Sequence, residues 1–245
     1  MRFITYINEL HLPFTQILLR QRLRLSRYVV TKFHSASLHE ISDVTTCANI
    51  FAIYFNSMKY AFITGIPAAG KSYLAKTVAQ KTNSLHIDID KLRVEMAKNP
   101  NLEPWVNFFS NKDEKEYWEM TTPQEHWENL KKQSEAFWPT ILEKIHEVEK
   151  TGNSAIFEGV NILPHLAHQD LDFSGVVLLG ESERSLFEIF KSNPRWGKTM
   201  ELQEKEAEWF FVHEGKIYKS EARKYGYKTF HDSIKAEEEL IRMLK

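Results

Sequence analysis

Short apolar runs alternate along this chain with longer stretches in which apolar residues recur every three to four positions. The runs Tyr60-Ala61-Phe62-Ile63-Thr64, Leu85-His86-Ile87-Asp88-Ile89, Ala155-Ile156-Phe157, Gly175-Val176-Val177-Leu178-Leu179 and Tyr227-Lys228-Thr229-Phe230 predict five strands. Between them the spacing predicts helices over 73–79, from Asp90 onward, over 124–150, over 184–191 and over 200–225. The long one carries Trp127, Leu130, Phe137, Ile141, Ile145 and Val148 on one face and ends at Thr151-Gly152-Asn153. Asp232 is placed to cap a final helix with Ile234, Leu240, Ile241 and Leu244 on its apolar side. Residues 99–123 follow neither period. With Pro100, Pro104, Pro123 and the rings of Trp105, Phe108, Phe109, Tyr117 and Trp118, they read as an insertion over a site. Short buried strands alternating with helices predict an α/β fold, a parallel sheet covered on both faces. Such sheets bind ligands at the carboxyl ends of their strands.

Composition narrows this only slightly. The 245 residues are 42% hydrophobic, enough for one core, and the net charge of −1 provides no global basic field for nucleic acid. The single cysteine, Cys47, rules out an internal disulfide and fits a reducing compartment such as the cytoplasm. No apolar run is long enough to predict a transmembrane helix. The first 57 residues differ from the rest. They lack glycine and carry Arg2, Arg20, Arg22, Arg24, Arg27 and Lys32 against Glu9, Glu40 and Asp43. Met58 stands just before the first strand. Residues 1–57 are therefore expected to be an accessory or poorly ordered extension, or one outside the true start of translation, with a targeting role the lesser alternative. Residues 58–245 are expected to be the complete domain.

The chemistry concentrates at three predicted strand ends. After the first strand comes Gly65-Ile66-Pro67-Ala68-Ala69-Gly70-Lys71-Ser72, which fits G-x-x-x-x-G-K-[ST], a phosphate-binding loop between a strand and a helix. Its N–H groups and the following helix N-terminus would face phosphates. Lys71 would reach the outer phosphates and Ser72 would hold Mg²⁺. After the second strand comes Asp88-Ile89-Asp90-Lys91-Leu92-Arg93. Asp90 is the candidate base for an acceptor hydroxyl, or a plain helix cap. Asp88 is a candidate for the metal through water, and Arg93 for an anionic acceptor, or a solvated helix residue. The third strand ends in Glu158-Gly159-Val160-Asn161. Glu158 sits where a metal-ordering acid is expected, or contacts the acceptor; Asn161 binds substrate or caps the next turn. Around Pro194, Arg184, Lys191, Arg195 and Lys198 form a basic set suited to a lid, with Arg195 best placed to neutralise a moving phosphoryl group. His165 and His168 lack a third ligand at zinc spacing. Asn111-Lys112-Asp113-Glu114 comes before the Glu158 strand, the wrong order for guanine specificity, so ATP is the expected donor.

Taken together, the Gly65–Ser72 loop, Asp88-x-Asp90-x-x-Arg93 and Phe157-Glu158-Gly159-Val160-Asn161-Ile162-Leu163-Pro164 resemble the small P-loop kinases of the AAA-33 and zeta-toxin-like group. The E-G-V-x-x-x-P stretch is most similar to archaeal-type 2-phosphoglycerate kinases, although those usually carry His where this chain has Asn161. The D-x-x-R step resembles the kinase half of phage polynucleotide kinase, in which the aspartate is the base and the arginine contacts the acceptor phosphate. The resemblance covers about residues 58–245 and implies a P-loop NTPase fold: five parallel strands in the order 2-3-1-4-5, flanked by helices, with a lid and a helical insertion covering the acceptor. It also implies Mg-ATP as donor and a small-molecule hydroxyl acceptor. A polynucleotide 5′-hydroxyl acceptor and an ATP-binding switch are the alternatives, the former less favoured because the charge is near neutral.

Overall fold

The computed structural model describes residues 58–194 and 196–245. The expected N-terminal extension, Cys47 and Arg195 lie outside the described residues. Five strands form one all-parallel sheet: β1 (Tyr60–Gly65), β2 (Leu85–Asp88), β3 (Ala155–Glu158), β4 (Gly175–Leu178) and β5 (Lys228–Phe230), in the spatial order β2-β3-β1-β4-β5. The P-loop α/β fold and strand order expected from the sequence are therefore those observed. The register aligns Ile63 with Glu158 and Asp88 with Glu158, so β1, β2 and β3 end at one edge.

Strand alternation sorts the core into two layers. Ala61 and Ile63, with Ile156, Val176 and Leu178, meet α1 (Lys71–Thr82) and the last helix, α10 (Ser233–Leu244). Phe62, Phe157 and Val177 point to the other face. There they join Trp127, Leu130, Phe137, Ile141 and Ile145 of the long helix α5 (Pro123–Glu149). Thr122 caps that helix in a reciprocal box with Glu125. Asp232 caps α10, accepting from the N–H groups of Ile234 and Lys235. In β4 a Cβ on Gly175 would collide with Phe62 of the paired β1, so a side chain there would part these two strands.

Three segments differ from the expectation drawn from spacing. The second strand stops at Asp88, and Ile89–Leu92 form a 3₁₀ turn before the short helix α2 (Arg93–Met96). That turn lifts Asp90 out of the sheet. The irregular stretch contains two short helices, α3 (Glu103–Val106) and α4 (Glu114–Met120). A helix, α6 (Pro164–Asp170), follows β3. After β4 comes α7 (Glu183–Ser192), and 200–225 is not one helix. It comprises α8 (Met200–Glu208), a π-helical turn (Trp209–Glu214) and α9 (Gly215–Lys224). Side-chain periodicity does not register the extra residue of a π turn, because the apolar face continues through it. Among the described residues no helix is long and apolar enough to cross a membrane.

Candidate phosphoryl-transfer site

The loop between β1 and α1 is built by local backbone chemistry. Gly65 and Gly70 adopt φ of 127° and 89°, and Ala68 also turns left-handed at 57°. At Gly65 the need for glycine is also steric, since a Cβ would strike the Leu178 carbonyl of the paired strand. No side chain caps α1. Its first N–H groups, with those of Ile66, Ala68 and Ala69, are available as donors for an anion cradle; Pro67 has no N–H to give. Lys71 is buried, and its Nζ donates to the carbonyls of Gly65 at 3.0 Å and Ile66 at 2.7 Å. The loop thus holds its own cation in place over the cradle.

Glu158 is 1% exposed at the end of β3. Burial pushes its carboxyl up, but hydrogen bonding from His86 and Ser72 and the charge of Lys71 outweigh this and hold it below the usual carboxylate range. His86 Nε2 lies 3.4 Å from Glu158 Oε1. Asp88, the other candidate for the metal, is turned to Lys91 at 3.3 Å on the protein surface. Of the two candidates it is Glu158 that interacts with Ser72 and Lys71. Because folding lowers the pKa of Glu158, the stabilisation is fully present above about pH 4.5, the ordinary value, and is lost as pH falls below it. Glu158→Gln is accordingly expected to be less stable than the parent at pH 7 and to lose less stability on acidification below pH 4.5. Urea midpoints measured across that range check both signs.

Asp90 sits against the start of the next loop. Its Oδ1 lies 3.2 Å from the position a Cβ on Gly159 would take. A side chain at 159 would press on Ile89, at 3.0 Å, and on the Asp90 carboxyl, so glycine eases the approach of that carboxyl to the end of β3. Below it, Tyr218 is fully buried, with its hydroxyl donating to the Val160 carbonyl at 2.8 Å. Burial, and then the charges of Glu214 and Asp90, keep that phenol protonated. Tyr218 is thus a neutral, buried phenol bonded to the loop that follows β3.

Arg93 is not a solvated helix residue. Its guanidinium donates to Asn161 Oδ1 at 2.7 Å and Gln133 Oε1 at 3.2 Å, and lies 5.2 Å from the Phe137 ring centre. Asn161 is 2% exposed and donates in turn to Ser134 Oγ at 2.8 Å and Gln133 Oε1 at 3.2 Å. Gln133 Nε2 donates to the Trp105 carbonyl at 2.7 Å, tying the insertion to the same network. Asn161 therefore holds a cation, rather than capping a turn.

Sequence reasoning did not single out Gln133, Ser134, His86, His126 or Glu214. One signal was present: Gln133 occupies the apolar stripe between Leu130 and Phe137, and a polar residue there needs a buried partner. His165 and His168 both pack beside Tyr225, and no group of three or more His, Cys, Asp or Glu is arranged to hold a metal among the described residues.

No family model and no curated protein matches the chain. Among solved structures it is similar to shikimate kinase from Acinetobacter baumannii in complex with shikimate, at 10% identity and a TM-score of 0.46, over 79% of this chain and 96% of that one. It is also similar to dephospho-CoA kinase from Campylobacter jejuni, at 18% identity and a TM-score of 0.35, over 76% of this chain and 95% of that one.

Proposed function

We propose that this protein is an ATP-dependent phosphotransferase that moves the γ-phosphoryl group of Mg-ATP to the hydroxyl of a small acceptor. The observation that carries the reading is the meeting of three strand ends at one sheet edge. They bring a phosphate cradle with its lysine, a carboxylate beside Ser72, and a second carboxylate on the glycine that follows β3. Phosphoryl transfer asks a protein for positioning and charge compensation more than for covalent steps. The cradle N–H groups and Lys71 would bind the β- and γ-phosphates, and Lys71 would stabilise the charge that develops on them.

Mg²⁺, when bound, supplies further charge compensation on those oxygens. Ser72 would hold it directly, and Glu158, kept ionised, would order its water. Asp90 would orient the acceptor hydroxyl and take its proton as the oxygen attacks phosphorus. Arg93, held by Asn161 and Gln133, would fix an oxygen-rich or anionic part of the acceptor. Arg195 would neutralise charge on the transferring group.

The direct test has two arms. Titration calorimetry of the purified chain with ATP, with and without magnesium, is expected to give one-to-one binding that magnesium strengthens. Incubation with labelled ATP and a panel of hydroxyl acceptors is expected to label at least one small molecule faster than water. Failure to take up any nucleoside triphosphate overturns the reading; uptake with hydrolysis but no acceptor labelling replaces the kinase by an ATPase.

A further inference from the structure

The π-helical turn 209–214 carries the most conspicuous unsatisfied groups of the described core. Glu214 is 3% exposed. Its Oε2 lies 2.8 Å from His126 Nε2, and His126 Nδ1 lies 2.9 Å from the Tyr117 hydroxyl. Tyr117, His126 and Glu214 thus form a continuous chain from α4 through α5 to the turn. Glu214 Oε1, in contrast, is buried and meets no donor among the described residues. The indole Nε1 of Trp209 is buried too and meets no acceptor among them. Both side chains pack on His126, Trp209 edge-on at 6.3 Å between ring centres. One turn thus presents an unused acceptor and an unused donor next to the same imidazole. Leaving a buried polar group unpaired is costly, and more so for a charge. Native cores keep few such groups unless a ligand completes them.

The surroundings specify the ligand's charge. Trp118 packs 4.7 Å from Trp209, 5.2 Å from Trp196 and 5.9 Å from Phe210. Two further carboxylates are buried around these rings: Glu114, which accepts from Trp118 Nε1 at 3.2 Å, and Glu206, which accepts from the Gly197 N–H at 3.3 Å. Carboxylates among aromatic faces favour a cation and repel an anion. The location specifies which ligand is concerned. Gly215, directly after Glu214, packs beside Ile66 of the phosphate loop, a Cβ there lying 3.9 Å from Ile66 Cγ2. One helical turn later, Tyr218 feels the charges of both Glu214 and Asp90.

We infer that the 209–214 turn recognises the acceptor, and that the acceptor is an amino alcohol, with its protonated amine on Glu214 Oε1 and an oxygen accepting from Trp209 Nε1. This assignment rests on the phosphotransferase reading for the identity of the bound molecule as an acceptor. A neutral polyol leaves the Glu214 charge uncompensated, and a phosphorylated or carboxylated acceptor brings a second negative charge to it.

The experiment measures binding without nucleotide, on the full chain. Glucosamine is compared with glucose, and serinol with glycerol, by calorimetry. The amines are expected to bind at least about 10-fold tighter than their neutral counterparts, the scale of one hydrogen bond to a charged group. Glu214→Gln is expected to erase that difference, lowering amine affinity about 10- to 100-fold and leaving the neutral compounds unchanged. Trp209→Phe is expected to weaken all members by a smaller factor. If Glu214→Gln loses its cooperative unfolding transition, the parent's preference and Trp209→Phe decide the matter. An amine preference with no phosphoryl transfer keeps this site and removes the kinase reading. Transfer to neutral hydroxyls without amine preference, or binding of no amine at millimolar concentration, overturns the inference.

Discussion

Lys71→Ala is expected to lower phosphoryl transfer by about 100- to 1000-fold, the scale of removing one preorganised charge-stabilising donor from a transfer site. The expectation follows from where the ammonium is held. Nζ bonds to the carbonyls of Gly65 and Ile66, so it is fixed over the cradle before any phosphate arrives. Little reorganisation is then needed as charge develops. The same two bonds make Lys71 part of the loop's own structure, and its removal leaves two buried carbonyls short of a donor. Some loss of stability, about 1–3 kcal/mol, is therefore expected as well. The two effects separate in one measurement. Mg-ATP should raise the melting temperature of the parent and leave that of Lys71→Ala almost unmoved, whatever the starting value. A variant that keeps both the ligand-induced rise and the turnover would falsify the role given to the loop.

Asp90→Asn probes the other half of the reaction. A positioned general base contributes about 100- to 10,000-fold, and an amide cannot take the acceptor's proton. The substitution changes charge with almost no change of shape, which matters because Asp90 Oδ1 lies so close to Gly159. The expected result is a fall in kcat of about 100-fold or more, with KM for ATP and the melting temperature near those of the parent. Stopped assays with labelled ATP measure the first, and the ligand-induced melting shift measures the second. Equal kcat in the two proteins would mean that another group, or solvent, accepts the proton. The Glu158→Gln acid profile and the Glu214→Gln amine selectivity test separate residues, one at the end of β3 and one in the π-helical turn. Their failures would not be confused with these.

The residues differ in how far their roles could be read from the chain. The cradle was legible because it is local. Two glycines, a lysine and a serine within eight positions follow an apolar strand, and backbone dihedral limits leave such a loop little choice. The five strands and the capped final helix were legible for the same reason, since their signals are periods and caps within a few residues. The 3₁₀ turn at Ile89–Leu92 was not legible, because Asp90 and Leu92 satisfy either kind of helical turn. The π turn was hidden by an aromatic run that gives any helix an apolar face.

What the sequence determined by itself, then, is a phosphate cradle at the edge of a parallel sheet and the three strand ends that could serve it. What only the tertiary structure decided is which side chains meet there. Arg93 is bound to Asn161 across 68 positions, and His126 to Glu214 across 88. Glu158 is buried beside Lys71 and Ser72 because β3 is an interior strand, whereas Asp88, its register partner on the edge strand β2, pairs with a surface lysine. Contacts so distant along the chain form only when packing brings their elements together. No local propensity encodes them, and the desolvation that gives them their strength exists only in the folded protein.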